Sequence, residues 1–572
     1  MNKIQVLQGL NLQSDISSII ITLQKTDSIT KLLDLIKGFH PIFMKEYKFE
    51  DGKVIIRSKL TFLWREMAET LIQLSEEKIS YEDAKEYVLN QLIKQRVKSM
   101  STIPILHTAH TLLYEVTPTV IEKDLVPSAE EGYSYTWNRY YTLGSGKNSE
   151  ITCSISSSKD SHFAVKTQRD KWSTNEYMQR MGLDIPKWEV VKDKDHIKRV
   201  WNDYEKPVVI KPTGLTGGSG VTVGINSIEE AYKAFDIAQK NTLRHIDKKW
   251  QQKIMIEEQV EGDKNGADYR LLVIDGCLKV CTKRIPAFVI GDGNSTIEQL
   301  IEKENKDPRR DISNPAHTLK PIVINDPMTR LLGQKGLTLS SIPKKNEQVY
   351  VRNVASMSQG GTTEDYTDKV SPEVKIMVES LAQSTHAFVL GVDVIANDIS
   401  KPLTKDNGGI LEINTMPESY LNFFPTIGEQ RKDALEFFVK RLLKDNKTKQ
   451  IVTIGYFEKD IPTLLKEKNP FKSYLNKGDT VGEYKNEEII INGLSINKGI
   501  EKTRAIEALK INASLDAIII HHRDWEDIEE IGFGFDRIDM LIISKKLRER
   551  NEYFKIIKRY KKKGLIDNIK II

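Results

Sequence analysis

Two short runs, Gly391-Val-Asp393-Val-Ile395 and Gly409-Ile-Leu-Glu412-Ile-Asn414, decide how this chain reads. Both are apolar and glycine-led, the pattern of buried strands. Asp393 stands 19 residues ahead of Glu412, enough for a strand, a loop and a return. Glu412 and Asn414 are two apart, so on a strand they point to one face. Asp393 on a neighbouring strand would complete a set of three oxygen donors. Mg²⁺ takes such ligands, usually one or two carboxylates beside phosphate oxygens and water. Half-buried strands also carry acids for solvation or hydrogen bonding, so the spacing alone leaves both readings open.

The residues upstream bear on that choice. Lys211-Pro-Thr-Gly-Leu-Thr-Gly-Gly-Ser-Gly220 is a glycine-rich loop between two strand patterns, Pro207–Lys211 and Val221–Ile225. Its Gly217, Gly218, Ser219 and Gly220 let backbone N–H groups approach anionic oxygens closely. A Walker or dinucleotide loop would open a helix. This one runs strand to strand, as a hairpin lid over a triphosphate would, with Lys211 leaving the strand beside it. A scaffold hairpin with a long turn has the same signature. Next, Ile254-Met-Ile-Glu257-Glu258-Gln-Val260 leads an apolar strand into acids, as a hinge reading adenine and ribose would. Asp268-Tyr-Arg270 and Lys283-Arg284 then set two arginines on adjacent strands, suited to offsetting charge on a transferring phosphoryl group.

The bulk numbers agree with a soluble multidomain chain. It has 572 residues, 39% hydrophobic and 29% charged, with a net charge of +5; three or four domains fit that length. No apolar run is long enough for a membrane span, and the first residues lack a signal-peptide pattern. Three cysteines cannot make a disulfide framework; Cys277 and Cys281 read as buried thiols on one strand face. These features imply the cytoplasm. The basic run from Lys545 to Lys563 reads as a solvated helix face, because no base-reading module accompanies it; nucleic acid is not an expected partner.

Helical spacing marks Leu60–Leu74, and Ser80 with Asp83 caps a second helix reaching about Lys98. His107 and His110 read as structural. A strand is expected at Ile151–Ile155, a capped helix from Ser227 with Glu230, strands at Lys253–Glu257, Tyr269–Ile274 and Cys277–Lys283, and a closing helix from Lys432 to Leu443.

Taken in order, the pieces resemble the ATP-grasp ligases, and among them the ATP-grasp half of cyanophycin synthetase. The matching residues are Asp170-Lys171, Gly182-Leu-Asp-Ile-Pro186, Val209-Ile-Lys-Pro212, Gly218-Ser-Gly220 and Asp268-Tyr-Arg-Leu-Leu-Val273. Arg284-Ile-Pro-Ala-Phe-Val-Ile-Gly-Asp-Gly293 follows with Thr296-Ile, Leu300-Ile and Asp307-Pro-Arg-Arg310. Arg352-Asn353, Gly360-Gly361, Thr367-Asp368, Asp393, Glu412-Ile-Asn414, Pro425, Gly428 and Arg431 complete the series. Bifunctional glutathione synthetases share the Gly-Asp-Gly run.

The resemblance implies an α/β multidomain chain with an ATP-grasp fold, two α+β lobes clamping ATP. Residues 1–150 would be an N-terminal mixed α/β domain for acceptor or primer binding. Residues 151–446 would be the catalytic domain, with a lid at about 205–285, and 447–572 a shortened Mur-ligase-like α/β domain. It implies that Lys171, Lys211 and the 217–220 loop hold ATP phosphates. Glu257, Glu258 and Val260 would line the adenine pocket, with Asp268 at ribose. Asp393, Glu412 and Asn414 would hold Mg²⁺. Arg284, with Arg270 and Arg352, would carry the catalytic charge, and Asn353, Ser356, Gly360 and Gly361 would meet the acceptor. The implied chemistry is ligation of a carboxylate to an amine through an acyl phosphate, on amino acids or peptides, by a homo-oligomer. The alternatives are a glutathione-synthetase-type small-molecule ligase and a non-catalytic ATP-binding scaffold.

Two departures bear on the site. Histidine and arginine are usual in the family's glycine loop, where this chain has Gly217 and Ser219. Asn-Ala-x-Pro-Gly and then histidine usually follow the metal ligands, where Asn414-Thr-Met-Pro-Glu418 and Asn422 stand here. In the tail, Ile454–Ile461 lacks the Gly-Lys-Thr phosphate loop of a Mur half, so no second ATP site is expected.

Overall fold

The computed structural model describes residues 4–39, 41–97, 100–120, 140–168, 170–215, 219–245, 252–260, 268–311, 314, 317–415, 417, 419–443, 447–455, 474–547 and 550–572. The tail stretch 456–461 and the loop residues Gly217 and Gly218 lie outside them. The chain divides into two compact units. One is formed by Met1–Ser157 with Val439–Ile572, the other by Ser158–Phe438.

In the first unit the tail builds a seven-stranded sheet. Its order is Leu494–Lys498, Glu488–Ile491, Val481–Lys485, Ala517–His522, Lys449–Ile454, Ile538–Ile543 and Ile566–Ile571. The last five strands in that order are mutually parallel, and the first two add an antiparallel hairpin. Runs such as Ala-Ile-Ile-Ile-His-His are apolar on both faces because both faces of a parallel sheet are covered. Ile506, Phe533, Phe535 and Tyr560 pack one face, and Leu475 packs the other beside Ile519 and Ile542.

The start of the chain is woven into that core. Leu10 belongs to the larger cluster, its N–H donates to the Phe535 carbonyl at 2.7 Å, and the Phe533 N–H donates back to the Leu10 carbonyl at 2.7 Å. Gly9 permits this approach: at φ +66°, an added Cβ would stand 2.2 Å from the Phe535 oxygen. The N-terminal residues also form their own four-stranded antiparallel sheet, with the helices Thr61–Ser75 and Tyr81–Val97 close to the expected bounds. Ser80 caps the second helix by accepting from the Asp83 N–H at 3.2 Å.

A buried charge cluster joins the two chain segments. Lys510 Nζ meets Glu115 at 2.8 Å, Lys59 pairs with Asp536, and the Asp536 N–H donates to Glu115 at 2.6 Å. All four side chains are nine-tenths or more buried. His521 sits on the central strand between the Glu483 carboxylate at 3.0 Å and the Thr453 hydroxyl at 2.8 Å, a satisfied core histidine. The basic helix Asn551–Lys562 buries Ile557 and Tyr560 and keeps most of its lysines and arginines in solvent.

In the second unit, a four-stranded antiparallel sheet runs Thr222–Ile225, Val208–Pro212, Ile254–Glu258 and Trp188–Val191. The helix Ile228–His245 packs on it, its start closed by the reciprocal Ser227–Glu230 bonds at 3.2 Å. A five-stranded antiparallel sheet runs Thr362–Asp365, Cys277–Ile285, Asp268–Ile274, Val389–Ala396 and Gly408–Asn414. One face carries the core, covered by the helix Pro372–Ser384. A hairpin of Phe288–Ile290 and Gln348–Tyr350 has a smaller core with the helices Ile297–Asn305 and Asp326–Gln334.

The cysteine expectation needs a correction. Leu272 pairs with Val280 and Val273 with Leu278, so Lys279 is bulged out of the ladder. An extra residue in one strand reverses the alternation beyond it. Cys281 therefore faces the core, and Cys277 falls on the opposite face and is only part-buried.

Breaking a buried ion pair by removing one partner costs about 3–5 kcal/mol. Lys510→Met should lower the stability of the first unit by that amount, read by urea unfolding with hydrogen exchange. Burial, helped by the Lys59 charge, depresses His110 to about 3, so the folded unit takes its proton later than the unfolded chain does. Stability should fall as pH drops below the unfolded histidine value near 6.5, by about 1.4 kcal/mol per unit for this group. His110→Asn should flatten the pH 6.5–4 stability profile relative to the parent.

Candidate functional site

Antiparallel alternation sorts the five-stranded sheet into an apolar and a charged face. Tyr269, Leu271 and Val273 point into the core, so Asp268 and Arg270 point the other way. Register does the rest. Arg270 lies opposite Thr282 on one side and opposite Asp393 on the other; Asp393 in turn lies opposite Glu412, and Asp268 opposite Arg284. Thr282, Arg270, Asp393 and Glu412 thus form one row across four strands.

The row is a charge ladder. The Arg270 guanidinium grips both Asp393 oxygens, one through Nε and the other at 3.1 Å. Arg284 donates to Asp268 at 2.8 Å and stands 3.4 Å from Asp393. Lys171, beginning the helix Lys171–Arg180 behind its Asp170 cap, reaches Glu412 at 3.4 Å and donates to the Leu215 carbonyl at 2.8 Å. Asn414 donates to Glu412 at 3.4 Å. Burial pushes the Asp393 carboxyl up, but the two guanidiniums more than offset this and hold it below its ordinary value. Asp268 shows the opposite balance: burial and the neighbouring Asp393 charge raise it despite Arg284. Arg284 is held firmly protonated, because Asp393 and Asp268 outweigh the burial that would lower it.

Of the three residues expected at Mg²⁺, Asp393 lies opposite Glu412, and Glu412 accepts from Asn414. Their donors are all oxygen, two of them carboxylate, on directly opposed strands, a set whose chemistry fits Mg²⁺. Elsewhere, the acids Asp365, Asp368 and Glu429 lie close enough together to hold an ion. Arg431 fills that place, with nitrogens 2.5, 2.7 and 3.8 Å from the three carboxylates, so that cluster already has its counter-charge.

The other expected residues distribute as follows. Lys211 lies on the strand Val208–Pro212 that pairs antiparallel with Thr222–Ile225, as a strand-to-strand loop requires. Its ammonium is paired with Glu257 of the adjacent strand, both about 92% buried, so the lysine expected at the phosphates and the acid expected at adenine are partners. Glu258 accepts from the Glu205 N–H at 3.1 Å, and Val260 is half-buried. Ser219 contacts Asn241 at 3.4 Å, and Gly220 takes φ +73°. Arg352 turns its guanidinium to Asn325 at 2.6 Å and the Val323 carbonyl, while Asn353 beside it is exposed. Ser356 and Gly361 return to the end of the Arg284 strand, where a Cβ on Gly361 would stand 2.8 Å from the Ile285 oxygen. Gly360 makes that turn at φ +88°.

Thr282 and Gln168 at this face carry no sequence signal, and Asn422 stands out in sequence only as the replacement of a usual histidine. Asn422 donates to Thr282 at 2.8 Å, both buried, pinning the short helix Tyr420–Phe423 to the charged face next to Arg270. Gln168 accepts from the Thr415 N–H just past the Glu412 strand. Only a residue's place in the register could have marked Thr282.

A hairpin sheet beside an antiparallel sheet bearing this ladder has the ATP-grasp fold, in an α/β multidomain chain. Residues 169–270 match the family described as phosphoribosylglycinamide synthetase, ATP-grasp (A) domain. Within that class the chain is similar to cyanophycin synthetase. It is 31% identical over 406 residues to that of a Synechocystis species, covering 70% of this chain and 44% of the relative. It is 34% identical over 293 residues to that of Crocosphaera subtropica, covering 51% and 32%. A glutathione biosynthesis bifunctional protein GshAB of Clostridium perfringens is 32% identical over 300 residues, covering 51% and 36%. The chain spans less than half the length of these relatives. Among the described residues, no helix is long and apolar enough to cross a membrane.

Lys211→Met would leave Glu257 charged and buried without a partner, at a cost of about 3–5 kcal/mol. Calorimetry should show a lower melting temperature for the second unit, and Lys211→Met/Glu257→Leu should recover most of it.

Proposed function

We propose that this chain is an ATP- and Mg²⁺-dependent carboxylate–amine ligase that makes a peptide or isopeptide bond at one active site. The observation that carries the reading is the row Arg270–Asp393–Glu412 with Lys171 on its end: alternating charges that suit phosphates, a divalent cation and a developing negative charge. The similarity to two kinds of ligase supports the same chemistry.

In this reading Lys171, Lys211 and the 217–220 loop hold the triphosphate. Glu257, Glu258 and Val260 border adenine, and Asp268 is offered to ribose. Asp393, Glu412 and Asn414 would hold Mg²⁺, which when bound supplies charge neutralisation at the phosphates. A substrate carboxylate attacks the γ-phosphorus, the bond to ADP breaks, and an acyl phosphate results. Arg270 and Arg284 face the transferring group and stabilise its charge. An amine then adds to the activated carbonyl; phosphate leaves with the bonding pair and the amine loses a proton, giving an amide. Arg352, Asn353, Ser356, Gly360 and Gly361 are assigned to the acceptor. Positioning does most of the work, since the intermediate is already activated.

The same reading keeps the three-part division at 150 and 446 as functional domains, with a lid at about 205–285 and a tail without a second ATP site. It also keeps a cytoplasmic place, suited to three free cysteines, and a homo-oligomeric state. The rival reading, a small-molecule ligase of the glutathione-synthetase type, draws no stronger support from the likeness to GshAB than the main one draws from cyanophycin synthetase; it would stop after a single condensation, whereas a polymer-primed enzyme would give products of increasing length.

A phosphate-release screen across amino acids and short peptides should find turnover with a restricted set, accompanied by ADP. Glu412→Ala should lower kcat by at least about a hundredfold with an unchanged circular dichroism spectrum. Full activity in that variant would refute the metal assignment.

A further inference from the structure

Asp393 is buried and carries its counter-ion in the sheet itself. Arg270 is its cross-strand partner by register, and such partners hold their Cβ atoms about 5 Å apart. Both Asp393 oxygens accept from guanidinium groups, from Arg270 on each and from Arg284 at 3.4 Å on one. Around Asp393, Arg270, Arg284 and Lys171 balance Asp268, Asp393 and Glu412, three charges against three, each cation within 3.4 Å of a carboxylate. Asp393 has 5% of its surface exposed, so Arg270 cannot be swung aside into water without leaving a charged pair unmatched.

This arrangement makes a bare divalent cation a poor guest. To free Asp393 the guanidinium must move off, and it would then face a second positive centre in a confined, weakly screened place. A triphosphate changes the balance. It offers Arg270, Arg284 and Lys171 new anionic partners, and the carboxylates are released to the cation. Charges exchange partners, and no bare charge is created.

We infer that Arg270, besides its charge at the transferring group, holds Asp393 in the nucleotide-free chain and so makes metal binding conditional on nucleotide. The inference rests on the Mg²⁺–nucleotide reading above. The cation enters with the triphosphate, and its affinity for the nucleotide-free chain is weak because Arg270 holds its ligand.

The test measures Mn²⁺ binding by electron paramagnetic resonance on the full chain, with and without a nonhydrolysable ATP mimic. In the parent the mimic should tighten Mn²⁺ binding by about tenfold or more, and Mn²⁺ should tighten mimic binding by the same factor, since linkage is reciprocal. Arg270→Met should bind Mn²⁺ alone more tightly than the parent does, and the coupling should shrink to within about threefold. Arg270→Lys, which keeps the charge, should restore the weak Mn²⁺-alone binding. Thermal unfolding of both variants checks that they fold, and Arg270→Gln serves if the Met variant does not.

Parent protein that binds Mn²⁺ alone as tightly as with the mimic would overturn the inference. So would an Arg270→Met variant whose Mn²⁺-alone affinity and coupling match the parent's. Failure of the mimic to bind the parent at all, with or without Mn²⁺, would overturn the proposed function instead.

Discussion

The antiparallel register of Asp268–Ile274 against Val389–Ala396 is the constraint on which the second unit depends. A shift of one residue would turn Asp268, Arg270 and Asp393 into the core and bring Tyr269, Leu271 and Val392 out to solvent. The same pairing therefore buries the apolar face and assembles the charged one, so the site cannot be displaced without dissolving the core beneath it. Asp393 is stable inside the protein only because Arg270 and Arg284 are delivered to it by neighbouring strands; its depressed carboxyl is the sign of that match.

Much of this was legible from residue order. The strands around Arg270, Arg284, Asp393 and Glu412, the strand-to-strand setting of the glycine loop and the Ser227 cap all lie within a residue or two of their expected places, because alternation and capping are local signals. What was not legible was pairing. In sequence Lys211 and Glu257 point to opposite ends of a nucleotide, yet they are partners across adjacent strands. Thr282 looks unremarkable in sequence, and the partner of Asn422, which stands where a histidine is usual, becomes visible only from the ladder. The bulge at Lys279, which separates the two cysteines, has no glycine or proline to announce it.

The first unit was the harder one to read. Its two segments look like separate pieces in the chain, and the tail looks like a fragment of a larger fold. They are held as one body by Leu10 in the tail's core and by the buried Lys59, Glu115, Lys510 and Asp536. The charges there are long-range in sequence, and no pattern in either segment announces a partner in the other.

That interleaving has a bearing on biosynthesis. A ribosome adds about 5–20 residues per second, so residues 1–157 emerge well before the stretch that completes their core. For tens of seconds Leu10 would have nothing to pack against, and Lys59 and Glu115 would remain hydrated on an unfinished body. The middle unit, contiguous in sequence, can close on itself during that interval. Vectorial synthesis would thus favour an order in which the middle unit is finished first, and the early segment waits for the strands of the later one to arrive.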